Sequence, residues 1–159
     1  MKKIFIALSL LVFIAGCTET DLCKGVVCQN NGVCESGDCV CPDGYEGTLC
    51  ETAWRTKFIG SYAFADVCPS GTYSGTASIA VSSTNNVTIL LTNFAGIGAA
   101  ATISGTLTEA NKISITSGTA NNFTINSALG TFNNNIINWT YSITASGASE
   151  NCTSTWTKQ

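Results

Sequence analysis

Nine cysteines divide this chain before any other feature does. Cys17 stands alone behind an apolar leader, Cys23, Cys28, Cys34, Cys39, Cys41 and Cys50 crowd into one short stretch, and Cys68 and Cys152 lie far apart. A stretch as short as 23–50 cannot bury enough apolar surface to offset its chain entropy, so crosslinks must replace a core there. Outside Cys17 the cysteines are even in number, which points to disulfides and an oxidising compartment. Spacing alone leaves 15 pairings open for six cysteines.

The leader decides where the rest resides. Lys2 and Lys3 are followed by an almost unbroken apolar run from Ile4 to Phe13 and then by Ile14-Ala15-Gly16-Cys17. The run is too short for a bilayer core of about 30 Å, which needs roughly 20 apolar residues, and reads as a removed signal peptide. The pattern resembles the bacterial lipoprotein box. That resemblance implies cleavage after residue 16, diacylation of the Cys17 sulfur, an acylated amino terminus and a tether over residues 17–22. In lipoproteins of two-membrane bacteria, Thr18 in place of aspartate favours the outer membrane, and Glu19 with Asp21 fits display on its outer face, the alternative being a plain solvated linker and the periplasmic face. Three acyl chains, at about 0.8 kcal/mol per buried methylene, make such anchoring effectively permanent.

The strongest motif follows. The six cysteines close with Cys41-Pro42-Asp43-Gly44-Tyr45-Glu46-Gly47-Thr48-Leu49-Cys50, with one residue between Cys39 and Cys41. Residues 23–51 thereby resemble an epidermal-growth-factor-like (EGF-like) module. The resemblance implies bridges Cys23–Cys34, Cys28–Cys39 and Cys41–Cys50, and the role of a spacer or protein-contact platform. Gly44 and Gly47 suit positive φ, Asn31-Gly32 reads as a turn, and Tyr45 is expected to pack across the small hairpin. Some modules of this family bind calcium just before the first cysteine. Here Thr20-Asp21-Leu22 offers one carboxylate, too few oxygens for a hard cation that takes six to eight.

Composition removes several functions. Residues 17–159 keep five Lys or Arg against ten Asp or Glu, a net charge of −5, which argues against nucleic acid and anionic lipid headgroups as partners. Histidine is absent, which withdraws the usual general base and the commonest metal ligand. Nucleophilic triads and zinc sites fail for the same reason, and every cysteine is better assigned to lipid or disulfide. Asp66, Glu109 and Glu150 are the only carboxylates after residue 54 and are far apart in sequence, so a glycosidase pair would need them to meet by folding. The protein is therefore read as non-enzymatic, with no cofactor and no metal.

From Trp54 to Gln159 the composition changes to Thr, Ser and Asn with recurrent period-two alternation. Shared faces are Phe58, Tyr62 and Phe64; Ala77, Ile79 and Val81; Val87, Ile89 and Leu91; Ala101, Ile103 and Leu107; Ile113 and Ile115; Phe123 and Ile125; Ile137, Trp139, Tyr141 and Ile143; and Cys152, Ser154 and Trp156. Asn85-Asn86, Ala110-Asn111, Asn121-Asn122 and Asn133 to Asn135 mark turns. About eight strands in an antiparallel meander suit a β-barrel, because closure removes exposed edges, and a β-sandwich is the alternative. A Cys68–Cys152 bridge would join the first and last strands. The apolar loop Phe94 to Ala101 reads as the start of the next buried strand or as an exposed contact surface. Gly60-Ser61-Tyr62 resembles the Gly-x-Trp signature of lipocalin-like barrels, with Tyr in place of Trp and Lys158 in place of the arginine, which would imply a small apolar ligand inside the barrel.

The sequence therefore leads to a mainly β, lipid-anchored envelope protein that recognises a protein or glycan at the cell surface. The alternatives are an accessory subunit of an outer-membrane protein complex and a lipocalin-like carrier.

Overall fold

The computed structural model describes residues 21–159, so the leader and Cys17 lie outside the described residues. Among the described residues no helix is long and apolar enough to cross a membrane. The chain is mainly β, with a small disulfide-linked module followed by a closed eight-stranded antiparallel barrel.

The module holds two short hairpins. β1 (Val33–Glu35) pairs with β2 (Asp38–Val40), and β3 (Tyr45–Glu46) pairs with β4 (Thr52–Ala53). Its bridges join Cys23 to Cys34, Cys28 to Cys39 and Cys41 to Cys50. Gly44 and Gly47 take φ of +94° and +102°. Cys50 is fully buried, and Gly32 lies so near it that an added Cβ would meet Cys50 Sγ at 2.7 Å.

The barrel is built by β5 (Gly60–Cys68), β6 (Gly71–Val81), β7 (Thr88–Thr92), β8 (Thr102–Glu109), β9 (Lys112–Ile115), β10 (Gly118–Ala120), β11 (Phe123–Asn133), β12 (Ile136–Ala145) and β13 (Ala148–Lys158). Apart from β9 and β10, each pairs with its neighbours in the chain, and β13 pairs back onto β5. β9 and β10 share one position, lying along the two halves of β11. The barrel is thus an up-and-down meander, and the Cys68–Cys152 disulfide fastens its first strand to its last.

Alternation places one side of every strand in the core. Trp139, Trp156, Tyr62, Phe64, Phe94 and Tyr141 fill the interior, with Phe94 lying 5.0 Å from Trp139 and 5.6 Å from Trp156 between ring centroids. Small residues make room for these rings. A Cβ on Gly130 would come within 2.8 Å of the Trp139 ring, and one on Gly75 within 2.9 Å of Phe64. Asn134 and Asn135, both at positive φ, turn β11 into β12 as the two-residue hairpin geometry demands.

Several details differ from the simple alternation. Phe58 is buried in a 3-10 turn over Trp54–Lys57 and its cap, ahead of β5, where it packs 5.0 Å from Phe132. Val81 is 51% exposed despite sharing parity with Ala77 and Ile79, because it ends its strand. A register shift between Ile125 and Ser127 reverses the parity of β11, so Ala128 faces in and Leu129 faces out. The apolar loop follows neither expectation. Phe94 and Ile97 fold back into the core, Asn93 N–H donates to Ala101 O at 2.8 Å, and Asn93 Nδ2 donates to Thr76 O at 2.8 Å.

Two outcomes test this packing. Replacing Cys68 and Cys152 together by Ala releases the long loop and lowers unfolding free energy by at most about 4–5 kcal/mol, read by denaturant titration against the parent. Gly130→Ala forces a methyl into the Trp139 ring and destabilises by about 1–3 kcal/mol, with a changed near-UV tryptophan signal.

Candidate functional site

Strand direction gives the barrel two unlike ends. At one end lie the start of β5 and the connections β6–β7, β8–β9 and β11–β12; at the other lie the connections β5–β6, β7–β8, β10–β11 and β12–β13. The first end, the base, is filled by Phe58 and Phe132 and sealed by Tyr62, whose hydroxyl donates to Phe58 O at 2.6 Å. Burial pushes the Tyr62 phenol up to about 12, so it remains a donor at neutral pH.

The module sits on this base. Trp54 N–H donates to Gly44 O at 2.8 Å, Lys57 Nζ meets Glu46 Oε1 at 2.6 Å, and Arg55 reaches Asn85 O at 3.4 Å. Tyr45, expected to pack within its own hairpin, accepts a hydrogen bond at its hydroxyl from Asn86 Nδ2 in the β6–β7 connection. A Cβ on Gly44 would meet Val87 at 3.1 Å, so the module's loop and the barrel are in close apposition.

The second end, the mouth, opens into a cavity of about 820 Å³. Phe64, Phe123, Tyr141 and Ile143 form its apolar wall, and Tyr73, Ser70 and Glu150 form its rim. Glu150 is held by Ser70, whose N–H donates to Oε2 at 3.0 Å and whose hydroxyl donates to Oε1 at 2.8 Å. Tyr73 Oη then donates to Ser70 Oγ at 3.0 Å, while its ring stays 49% exposed. The rim is therefore a pre-ordered set of one carboxylate, two hydroxyls and an accessible aromatic ring.

Beneath the rim lies Asp66, only 1% exposed, on the inward face of β5 between Phe64 and Cys68, both of which line the cavity. Register places Asp66 opposite Ser154 on β13, and Ser154 opposite Trp139 on β12. Both Asp66 oxygens, Ser154 Oγ and Trp139 Nε1 are buried without a hydrogen bond of ordinary geometry among the described residues. Burial raises the Asp66 carboxyl above its usual range, against smaller opposing pulls from the Ser154 and Tyr141 hydroxyls. The Tyr141 phenol is raised as well, by burial first and then by the negative charge of Asp66, with Glu150 and Tyr73 adding to it.

Among the sequence-derived candidates, the three carboxylates separate in an informative way. Asp66 and Glu150 come to the mouth, where both act on Tyr141. Glu109 lies at the base end and pairs with Lys112 at 2.7 Å. Cys68, Cys152 and Glu150 have ligand atoms within 4.8 Å of one another, but both sulfurs are committed to the disulfide and offer no thiolate. Asp21, the one acidic residue flanking the first module cysteine, accepts from Cys23 N–H at 3.1 Å.

Residues 23–50 match the family model of the EGF-like domain. No curated protein matches the chain. Among solved structures, that of a putative outer membrane protein from Bacteroides fragilis NCTC 9343 is similar at 18% identity and a TM-score of 0.42, over 67% of this chain and 52% of that one. The chain thus spans about half the length of that protein.

The buried carboxylate sets a pH test. Its folded-state pKa lies above the ordinary value of 3.8, so the stability it contributes is complete below that pH and is lost as pH rises through the folded value. Asp66→Asn is expected to be more stable than the parent by about 1–3 kcal/mol at pH 8, with the difference closing as pH falls towards about 4 and gone below it, in paired denaturant titrations.

Proposed function

We propose that this is a non-enzymatic, lipid-anchored protein of the bacterial outer membrane, displayed at the cell surface, which recognises a protein or glycan through the mouth of its barrel. The observation that carries the reading is the opposition of the two ends. The module covers the filled base, and a large cavity opens at the far end. An anchor at Cys17 then points the cavity away from the membrane. The rim groups suit recognition: Tyr73 offers a ring face, and Glu150 and Ser70 offer oriented oxygens around an apolar wall.

A second reading, an accessory subunit held against an outer-membrane protein, is favoured by the module's surface. Leu22, Val27, Val33, Val40 and Leu49 are all exposed on it, and Val33 faces Val40 directly across the hairpin. The carrier reading is narrowed to the mouth, since Trp139, Trp156 and Phe94 occupy the barrel's centre.

Fractionation with native purification separates these. Cys17→Ala should move the protein from the membrane to the soluble fraction, and the lipidated parent should be labelled on intact cells by a membrane-impermeant reagent. Purified under mild detergent it should come out alone and bind a surface glycan or protein, with binding lost on Tyr73→Ala. A stoichiometric membrane partner that survives Tyr73→Ala would overturn recognition through the mouth in favour of the subunit.

A further inference from the structure

Charge is segregated along the barrel. After residue 54 the chain has four cationic side chains, Arg55, Lys57, Lys112 and Lys158. Arg55 and Lys57 precede β5, Lys112 opens β9, and Lys158 closes β13, so all four lie at the base. All four are engaged there, Lys57 with Glu46 of the module, Lys112 with Glu109, Arg55 with Asn85 O, and Lys158 Nζ with Lys57 O at 2.8 Å. The mouth end carries Asp66 and Glu150 and, among the described residues of the barrel, no cation.

That end therefore joins three independent features. It has a cavity large enough for a small organic molecule, a wall and rim rich in aromatic rings, and two carboxylates without a cationic partner. One of the two, Asp66, is almost fully buried with both oxygens unpartnered just behind the wall. A buried, unpaired carboxylate costs folding free energy, and a cation brought beside it regains that cost in a medium of low dielectric. Aromatic faces add attraction for a cation within about 6 Å of the ring.

We propose, resting on the reading of the mouth as the recognition surface, that its cavity binds an organic cation, an ammonium or guanidinium group on an apolar body. Glu150 receives the charge at the rim, Asp66 behind the wall adds a second negative charge acting through the low-dielectric interior, and the rings of Tyr73, Tyr141 and Phe64 surround it. The same chemistry is offered by a free amine and by a lysine or arginine side chain of a peptide.

The test uses three probes of one size and different charge, benzylammonium, benzyl alcohol and benzoate, with Nα-acetyl-lysine amide and butylammonium as a second pair. Each is titrated into the purified protein by calorimetry, with amide NMR shifts locating the site. Benzylammonium is expected to bind at the mouth at least tenfold more tightly than the alcohol or benzoate. Glu150→Gln and Asp66→Asn should each lower that affinity at least fivefold while leaving benzyl alcohol unchanged. Tighter binding of the lysine amide than of butylammonium would assign a peptide side chain as the source, and the reverse would assign a free amine. Equal or tighter binding of benzyl alcohol or benzoate at the mouth overturns the cation site and leaves the mouth as the recognition surface. Absence of mouth shifts with every probe overturns both. Should Asp66→Asn fail to fold, Glu150→Gln alone decides, since its carboxylate lies at the rim.

Discussion

Everything in this barrel depends on the pairing of β13 with β5. Until these strands meet, a meander of this length leaves two long edges with unpaired backbone groups and an open trough of aromatic side chains. Once they meet, the trough becomes an interior, and the interior has two ends whose chemistry is fixed by which connections fall there. The Cys68–Cys152 bridge fastens this seam at the mouth, while Lys158 opposite Tyr62, with its ammonium on Lys57 O, fastens it at the base. Closure thus creates the cavity and decides which side chains surround it.

Much of the barrel was legible in the sequence because period-two alternation is a direct record of which side faces the core. Tyr62 and Phe64, Ile89 and Leu91, and Ile137 through Ile143 are buried as their parity requires. The same parity contains the candidate site. Asp66 falls in step with Tyr62, Phe64 and Cys68, and Glu150 in step with Cys152, Ser154 and Trp156. Reading only apolar residues for alternation passes over both carboxylates. Glu109 also keeps step with Leu107, but a register shift after Leu107 turns it to solvent. That shift, and the one in β11, are set by cross-strand pairing and have no local signature. The inward fold of Phe94 and Ile97 was hidden for a different reason: an apolar loop is equally consistent with burial and with exposure until the space above Trp139 is known. The docking of Tyr45 on Asn86 depends likewise on two segments brought together only by the fold.

Asp66 is where stability and recognition conflict. A Val or Leu there would remove the buried carboxylate, and with it the cost of keeping a charge out of water, although Ser154 Oγ and Trp139 Nε1 would stay unpaired. Retaining a carboxylate behind the wall makes the mouth a place where an incoming positive group gains more than it would in water. The base shows the opposite solution. Its charges are paired or capped, Lys57 across the junction with the module and the others within the barrel, and its centre is filled by Phe58 and Phe132.

The module is held over the base by Trp54 on Gly44 O, Lys57 on Glu46 and Asn86 on Tyr45, which makes module and barrel one body and leaves the mouth as the free end. Residual dipolar couplings of 15N-labelled protein in a weakly aligning medium test this directly. If the junction of Trp54, Tyr45 and Lys57 holds as described, amides of residues 23–50 and of the barrel strands fit a single alignment tensor. Two tensors of different magnitude would mean that the module swings on a flexible link, and the mouth would then have no fixed direction relative to the anchor.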